Sequence, residues 1–230
     1  MKRILTTLSL VCLTTIAAQA HSPWMTVDKQ GNVAYFFGED LTDQTYKLPA
    51  GIAKAEINMR ADGKTMPVET KQVESDDFIG IRSVASVPAG ADLMSQATFG
   101  VYHGAKLQYY TQHLGSKMPT EFAKCQPIEN TDLQAHAVDT ESGVDVYLLW
   151  KGKPLPGAEI KLTCDKGHEE GSGETDASGK VSFTDSEVED GMNGISVVHA
   201  VGDETGTVGE EAYKSAMHYL TATFVDPEDK

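Results

Sequence analysis

From residue 32 onward, apolar and polar positions alternate in short runs separated by Gly, Pro, Asp and Asn. The runs at residues 32–37, 55–59, 78–83, 97–103 and 107–113, and again at 144–150, 159–162, 181–183, 195–201 and 218–225, are rich in β-branched or aromatic residues. That pattern predicts strands. No stretch carries a sustained helical stripe of apolar residues, and only 120–123 and the region around 210–215 could form a turn or two of helix. Many short strands at this spacing predict an all-β protein made of β-sandwiches.

The pattern changes across residues 115–131, a segment that contains Pro119 and Pro127. This places a boundary between an N-terminal β domain, residues 21–125, and a C-terminal β-sandwich, residues 126–230. In the second half, Lys151-Gly152-Lys153 reads as a turn between strands. Thr175-Asp176-Ala177-Ser178-Gly179-Lys180-Val181-Ser182-Phe183 reads as a turn entering another. Asp176 can cap that turn through its side chain, and Gly179 can supply a positive φ. The acidic stretches 169–174 and 185–190 read as solvated loops.

Residues 1–20 interrupt this picture. Lys2 and Arg3 precede a mostly apolar run over residues 4–16, and Ala18-Gln19-Ala20 offers small residues where a signal peptidase cuts. The run is too short and too broken by Thr and Ser to read as a membrane span, which needs about 20 apolar residues. The expectation is a cleaved signal peptide, a mature chain starting at His21, and a periplasmic or secreted protein without stable membrane insertion. Loss of Lys2 and Arg3 leaves 17 basic residues against 34 acidic ones, a formal charge of −17. Such a surface repels nucleic acid and anionic lipid; it would attract cations, but solubility alone also accounts for it and is the weightier reading. Of the three cysteines, Cys125 and Cys164 remain after cleavage. In an oxidising compartment they could form a disulfide, or stay as two unrelated thiols.

Cleavage after Ala20 would give His21 a free α-amine. The amine and ring Nδ1 of one residue can chelate a single ion, because a metal displaces the amine proton near neutral pH. A further imidazole would complete a histidine brace, and all-nitrogen donor sets suit Cu(II) and Ni(II). The alternation Ile195, Val197, His199, Val201 and the alternation His218, Leu220, Ala222, Phe224 each put a histidine on a strand face. If these consecutive strands pair through a symmetric connection, His199 and His218 stand opposite one another with Cβ atoms about 5 Å apart. Two arrangements fit this pattern: imidazoles sharing an ion, or packed histidines bonded to backbone or carboxylates. His103 and His113 cannot share an ion. A two-residue turn at Gly104-Ala105 would pair Gln96 with His113, separating the two histidines by roughly 23 Å along the ladder. His136 reads as a strand residue and His168 as an acidic-loop residue, and the sequence assigns neither a role. A G-x-S-x-G elbow, an H-E-x-x-H pair and a phosphate-cradling Gly loop are all absent, so no motif supports an enzyme.

Several of these segments, in order along the chain, resemble the secreted NikM-like domain-of-unknown-function family. They are His21-Ser22-Pro23-Trp24-Met25, Tyr35-Phe36-Phe37-Gly38-Glu39-Asp40, and Phe99-Gly100-Val101-Tyr102-His103-Gly104 running into Leu107-Gln108-Tyr109-Tyr110. The others are Gly152-Lys153-Pro154-Leu155-Pro156-Gly157-Ala158, residues 175–183, His199, and His218-Tyr219-Leu220-Thr221-Ala222-Thr223-Phe224. The chain departs from the family pattern where Leu220 and Ala222 exchange its Ala and Leu, and in the spacing of Trp24 from His21. The resemblance implies periplasmic, nickel- or cobalt-uptake-associated function and an N-terminal β domain followed by a prealbumin-like sandwich. It also implies His21, His199 and His218 as metal ligands. The resulting expectation is an exported protein that binds copper or nickel for uptake, delivery or buffering, with a membrane metal transporter or outer-membrane receptor as partner. The alternatives are a histidine-brace copper redox enzyme tuned by Tyr109 or Tyr219, and a metal-free β-sandwich binding or adhesion module.

Overall fold

A computed structural model describes residues 21–61, 63–115 and 118–226; the expected signal segment lies outside them. The first half supplies β1 (Ser22–Val27), β2 (Val33–Gly38), β3 (Glu56–Ala61), β4 (Lys64–Pro67), β5 (Thr70–Glu74), β6 (Ile79–Ser83), β7 (Asp92–Tyr102) and β8 (Ala105–His113). The second supplies β9 (Leu133–Thr140), β10 (Gly143–Trp150), β11 (Lys153–Pro154), β12 (Glu159–Cys164), β13 (Glu169–Glu174), β14 (Lys180–Thr184), β15 (Gly191–Val201), β16 (Gly206–Val208), β17 (Glu211–Tyr213) and β18 (Ser215–Asp226). The protein is an all-β sandwich fold, with short 3-10 turns at Ile52–Lys54 and Phe122–Lys124.

The two halves are not separate bodies. Four strands from each join in one sheet, ordered β13-β12-β15-β18-β8-β7-β3-β4. The seam is a parallel pairing of β8 with β18, from Ser215 opposite Ala105 to Thr223 opposite His113. Alternation along β18 then sends its side chains to opposite faces. His218, Leu220, Ala222 and Phe224 face the sheet built around β10, where the three apolar side chains pack with Leu133, Val146 and Leu148 and His218 meets Trp150. Tyr219, Thr221 and Thr223 face β1 and its sheet, ordered β1-β2-β6-β5. There Met25, Tyr35 and Phe37 pack with Ile57, Leu93 and Tyr109.

β1 is an edge strand of its own sheet, and its free edge rests on the seam. The Pro23 carbonyl accepts hydroxyl hydrogen bonds from Thr221 at 2.5 Å and Thr111 at 3.4 Å, and the Met25 carbonyl accepts one from Thr223 at 2.6 Å. Pro23 has no N–H to strand at this buried edge. Trp24 points the other way, into a cluster with Phe36, Leu41 and Phe78. An added Cβ at Gly194 of β15 would lie 2.9 Å from the Trp24 ring, so glycine lets the indole close onto the sheet. Burying side chains such as Trp24, Tyr35 and Phe36 contributes roughly 1.5–3 kcal/mol each.

Several local expectations change. Residues 169–174 form edge strand β13 rather than a loop. Glu, Gly and Ser carry no apolar alternation there, and the charges suit an exposed edge. The 210–215 region belongs to the β16–β17 hairpin, not a helix. The turn between β7 and β8 is His103-Gly104, both at positive φ (49° and 82°), which matches the twist of a two-residue hairpin. With a bulge between Thr98 and Gly100, His113 pairs Leu93 instead of Gln96; His103 and His113 still sit at opposite ends of the hairpin. Cys125 and Cys164 are free thiols, one in the β8–β9 connection and the other at the end of β12. Asp176 does cap its turn, accepting from the Ser178 and Lys180 backbone N–H groups, and Gly179 has φ 76°.

Replacing Thr223 by the near-isosteric Val tests the buried edge. It strips the Met25 carbonyl and the His113 ring of a shared partner and should lower unfolding free energy by at least about 2 kcal/mol, read by urea denaturation. An unchanged urea midpoint would show that the edge is held by something else.

Candidate metal site

The β15–β18 hairpin brings His199 and His218 directly opposite each other. Their ring centroids are 6.4 Å apart, and Trp150 of β10 packs edge-on against each ring at 4.6 Å. His218 is 1% exposed, whereas His199 is half-buried and opens the pair to solvent.

His218 is held at both ring nitrogens. Nε2 lies 2.9 Å from the Glu204 carboxylate and Nδ1 lies 3.1 Å from the Tyr110 hydroxyl. A carboxylate only accepts, so Nε2–H donates to Glu204 and, in the neutral ring, Nδ1 accepts from Tyr110. Glu204 comes from the loop that joins the two strands, and its second oxygen accepts from Lys106 of β8. Burial opposes ionisation of Glu204, but the hydrogen bonds from Lys106 and His218 hold its carboxyl below the usual range. Burial pushes the His218 pKa down against the pull of Glu204. Burial also lowers His199, helped by His218 and Lys151. Both shifts favour the neutral imidazole, the form in which a ring nitrogen can ligate a metal.

His21 does not join this pair. Its ring lies against Tyr46 at 4.0 Å and Phe37 at 6.0 Å, with Nε2 3.6 Å from an Asp43 oxygen and 4.0 Å from a Glu39 oxygen. Phe37 touches Tyr109, and Tyr109 stacks on Tyr219 at 4.8 Å. Tyr219 precedes Leu220 and follows His218, so it occupies the opposite face of β18 from His218. The long sheet stands between His21 and the His199–His218 pair. A single three-histidine site from His21, His199 and His218 is not assembled, because β1 docks on the face those two histidines turn away from. Tyr109 and Tyr219, read from sequence as tuning groups for a brace, accompany His21 and not the pair.

Sequence reasoning missed Glu204, Tyr110 and Trp150 as neighbours of His218. Glu204 is one carboxylate among many in an acidic loop, and no local pattern distinguishes it. A further cavity of about 390 Å³ at the junction of the halves is lined by His113, His136, Cys125, Arg60 and Asp92 among others. His113 shares a 2.8 Å hydrogen bond with Thr223, and His136 donates to Gln134 at 3.2 Å. Comparison of the chain with protein-family models and with curated proteins gives no match.

Burial lowers both cavity histidines to about 4; Asp92 partly opposes this at His113, and Arg60 adds to it at His136. An unfolded histidine titrates near 6.5, so between about pH 6.5 and 4 the unfolded chain binds more protons than the folded one. Stability is full above that window and falls as pH drops through it, by up to about 3 kcal/mol per histidine. Urea midpoints measured from pH 7 to 4 should fall, and fall less in His136→Gln. Parallel pH profiles for the two proteins would contradict a neutral buried His136.

Proposed function

We propose that this is an exported protein that binds a transition-metal ion, copper or nickel, for uptake, delivery or buffering. The ion is held by His199 and His218, with Glu204 beside it. The observation that carries this reading is two imidazoles opposed across one hairpin rung, one partly open to solvent and the other backed by a carboxylate. With ring nitrogens about 2 Å from a shared ion, imidazole centroids stand about 6 Å apart when the ion lies between them. The observed 6.4 Å between the ring centroids is close to that separation. Nitrogen donors suit copper and nickel. Metal would compete with the Tyr110 or Glu204 hydrogen bond for a His218 nitrogen, and Glu204 is placed either to ligate or to orient the ring.

The signal segment at 1–20, the resemblance to the NikM-like family and the strongly acidic chain support the exported, metal-handling part of this reading. A membrane metal transporter or outer-membrane receptor is the partner such a role requires. His21, with Asp43 and Glu39 at its ring, offers a separate and weaker chelating point through its α-amine. The brace-type redox enzyme loses support because it needs His21 at the pair.

Calorimetric titration of protein starting at His21 with Cu(II) and Ni(II) tests this. His199→Ala and His218→Gln should each weaken the tight site by at least about tenfold, while His21→Ala leaves it unchanged. His199→Ala is the more decisive variant, since that ring is partly exposed and lies outside the apolar core. Wild-type affinity in both hairpin variants, or loss of the tight site in His21→Ala alone, would overturn the assignment.

A further inference from the structure

The β12–β13 hairpin gathers a second and chemically different set of donors. Among the described residues, Cys164, His168 and Glu170 are the one group of three or more His, Cys, Asp or Glu side chains whose possible ligand atoms all lie within 4.8 Å of one another. Six residues of β15 separate Asn193, the rung partner of Cys164, from His199. At the rise of a strand that is about 20 Å, so this set is distinct from the histidine pair.

The turn accounts for the grouping. Gly167 donates its N–H to the Cys164 carbonyl at 3.0 Å and Cys164 donates to the His168 carbonyl at 3.1 Å, with Gly167 at φ 79°. This three-residue connection with a left-handed glycine sets Cys164 and His168 across from each other. Leu162 then pairs Gly171 and Thr163 pairs Glu169, which leaves Glu170 as the extra residue of a β-bulge. Bulges re-aim a side chain out of strand alternation, and here the re-aimed carboxylate lies 3.9 Å from His168 Nδ1. The Asp40 carboxylate stands beside the same turn, where an added Cβ at Gly167 would be 2.8 Å from it. Cys164 is buried, Glu170 partly so, and His168 is exposed, which gives an ion a route in from solvent.

We propose that Cys164, His168 and Glu170 form a zinc-type site on this hairpin. Sulfur, imidazole and carboxylate together are a zinc donor set, and three protein ligands leave one position for water or a partner's group. On binding, the Cys164 S–H bond breaks, the sulfur bonds the ion as thiolate, and the proton leaves to solvent, with Glu170 placed to carry it. No electron is transferred.

The test is titration of the reduced full-length mature protein with Co(II), a spectroscopic stand-in for Zn(II), followed by back-titration with Zn(II). Wild type, Cys125→Ser and His199→Ala should all show a thiolate-to-cobalt charge-transfer band that Zn(II) abolishes. Cys164→Ser should lose the band. His168→Ala, an exposed change that leaves circular dichroism intact, should weaken Co(II) binding at least about tenfold and keeps the test decisive if Cys164→Ser fails to fold. Absence of the band in folded wild type, its persistence in Cys164→Ser, or unchanged affinity in His168→Ala would overturn the site. Because His199→Ala retains this site, failure here and failure of the histidine pair are separate results.

Discussion

A strand at the edge of a sheet carries carbonyls that a neighbouring strand would otherwise engage, and when that edge is buried they must find other donors. In this protein the carbonyls of Pro23 and Met25 in β1 meet a column of threonine hydroxyls, Thr111, Thr221 and Thr223, rising from the parallel β8–β18 seam. Threonine suits the task because its hydroxyl donates while its methyl group packs. The contact spans 198 residues of sequence. It locks the first strand onto the last and fixes which face of the long sheet each half covers. Thr223 carries more than one partner. Its single proton goes to Met25, so it accepts from His113 and thereby ties the seam to the cavity histidines.

The chemistry follows from that docking. One face of β18 presents His218 towards Trp150, Tyr110 and Glu204; the other presents Tyr219 towards Tyr109, Phe37 and His21. The opposed histidines and the N-terminal histidine therefore occupy separate environments, one a partly buried imidazole pair backed by a carboxylate, the other a partly exposed ring beside Asp43 and Glu39. A third donor set on the β12–β13 turn differs in kind, since it includes sulfur.

Local pattern carried some of this a long way. The alternation of His199 and His218 on consecutive strands put them on one face, and a symmetric connection would set them opposite; the length of that connection left the register open until the paired strands fixed it. Asp176 and Gly179 were legible because turn chemistry is local. β1 was not, since Ser22-Pro23-Trp24-Met25 is buried on both sides and shows no alternation, so it read as the start of a chelator and not as a strand. The side of the sheet on which His21 lies depends on the parallel β8–β18 pairing, a long-range choice with no short-range signature. Glu170 escaped for a different reason: its direction is set by a bulge, and a bulge in a Glu-Gly-Ser strand leaves no hydrophobic mark.

The long sheet divides His21 from His199 and His218, so that one ion cannot use all three. Anomalous scattering from crystals of the mature protein grown with one equivalent of Cu(II) measures this directly. The account predicts the strongest copper peak between the His199 and His218 rings, with β1 still seated on the threonine column. A single peak ligated by His21 together with either of those histidines would contradict it.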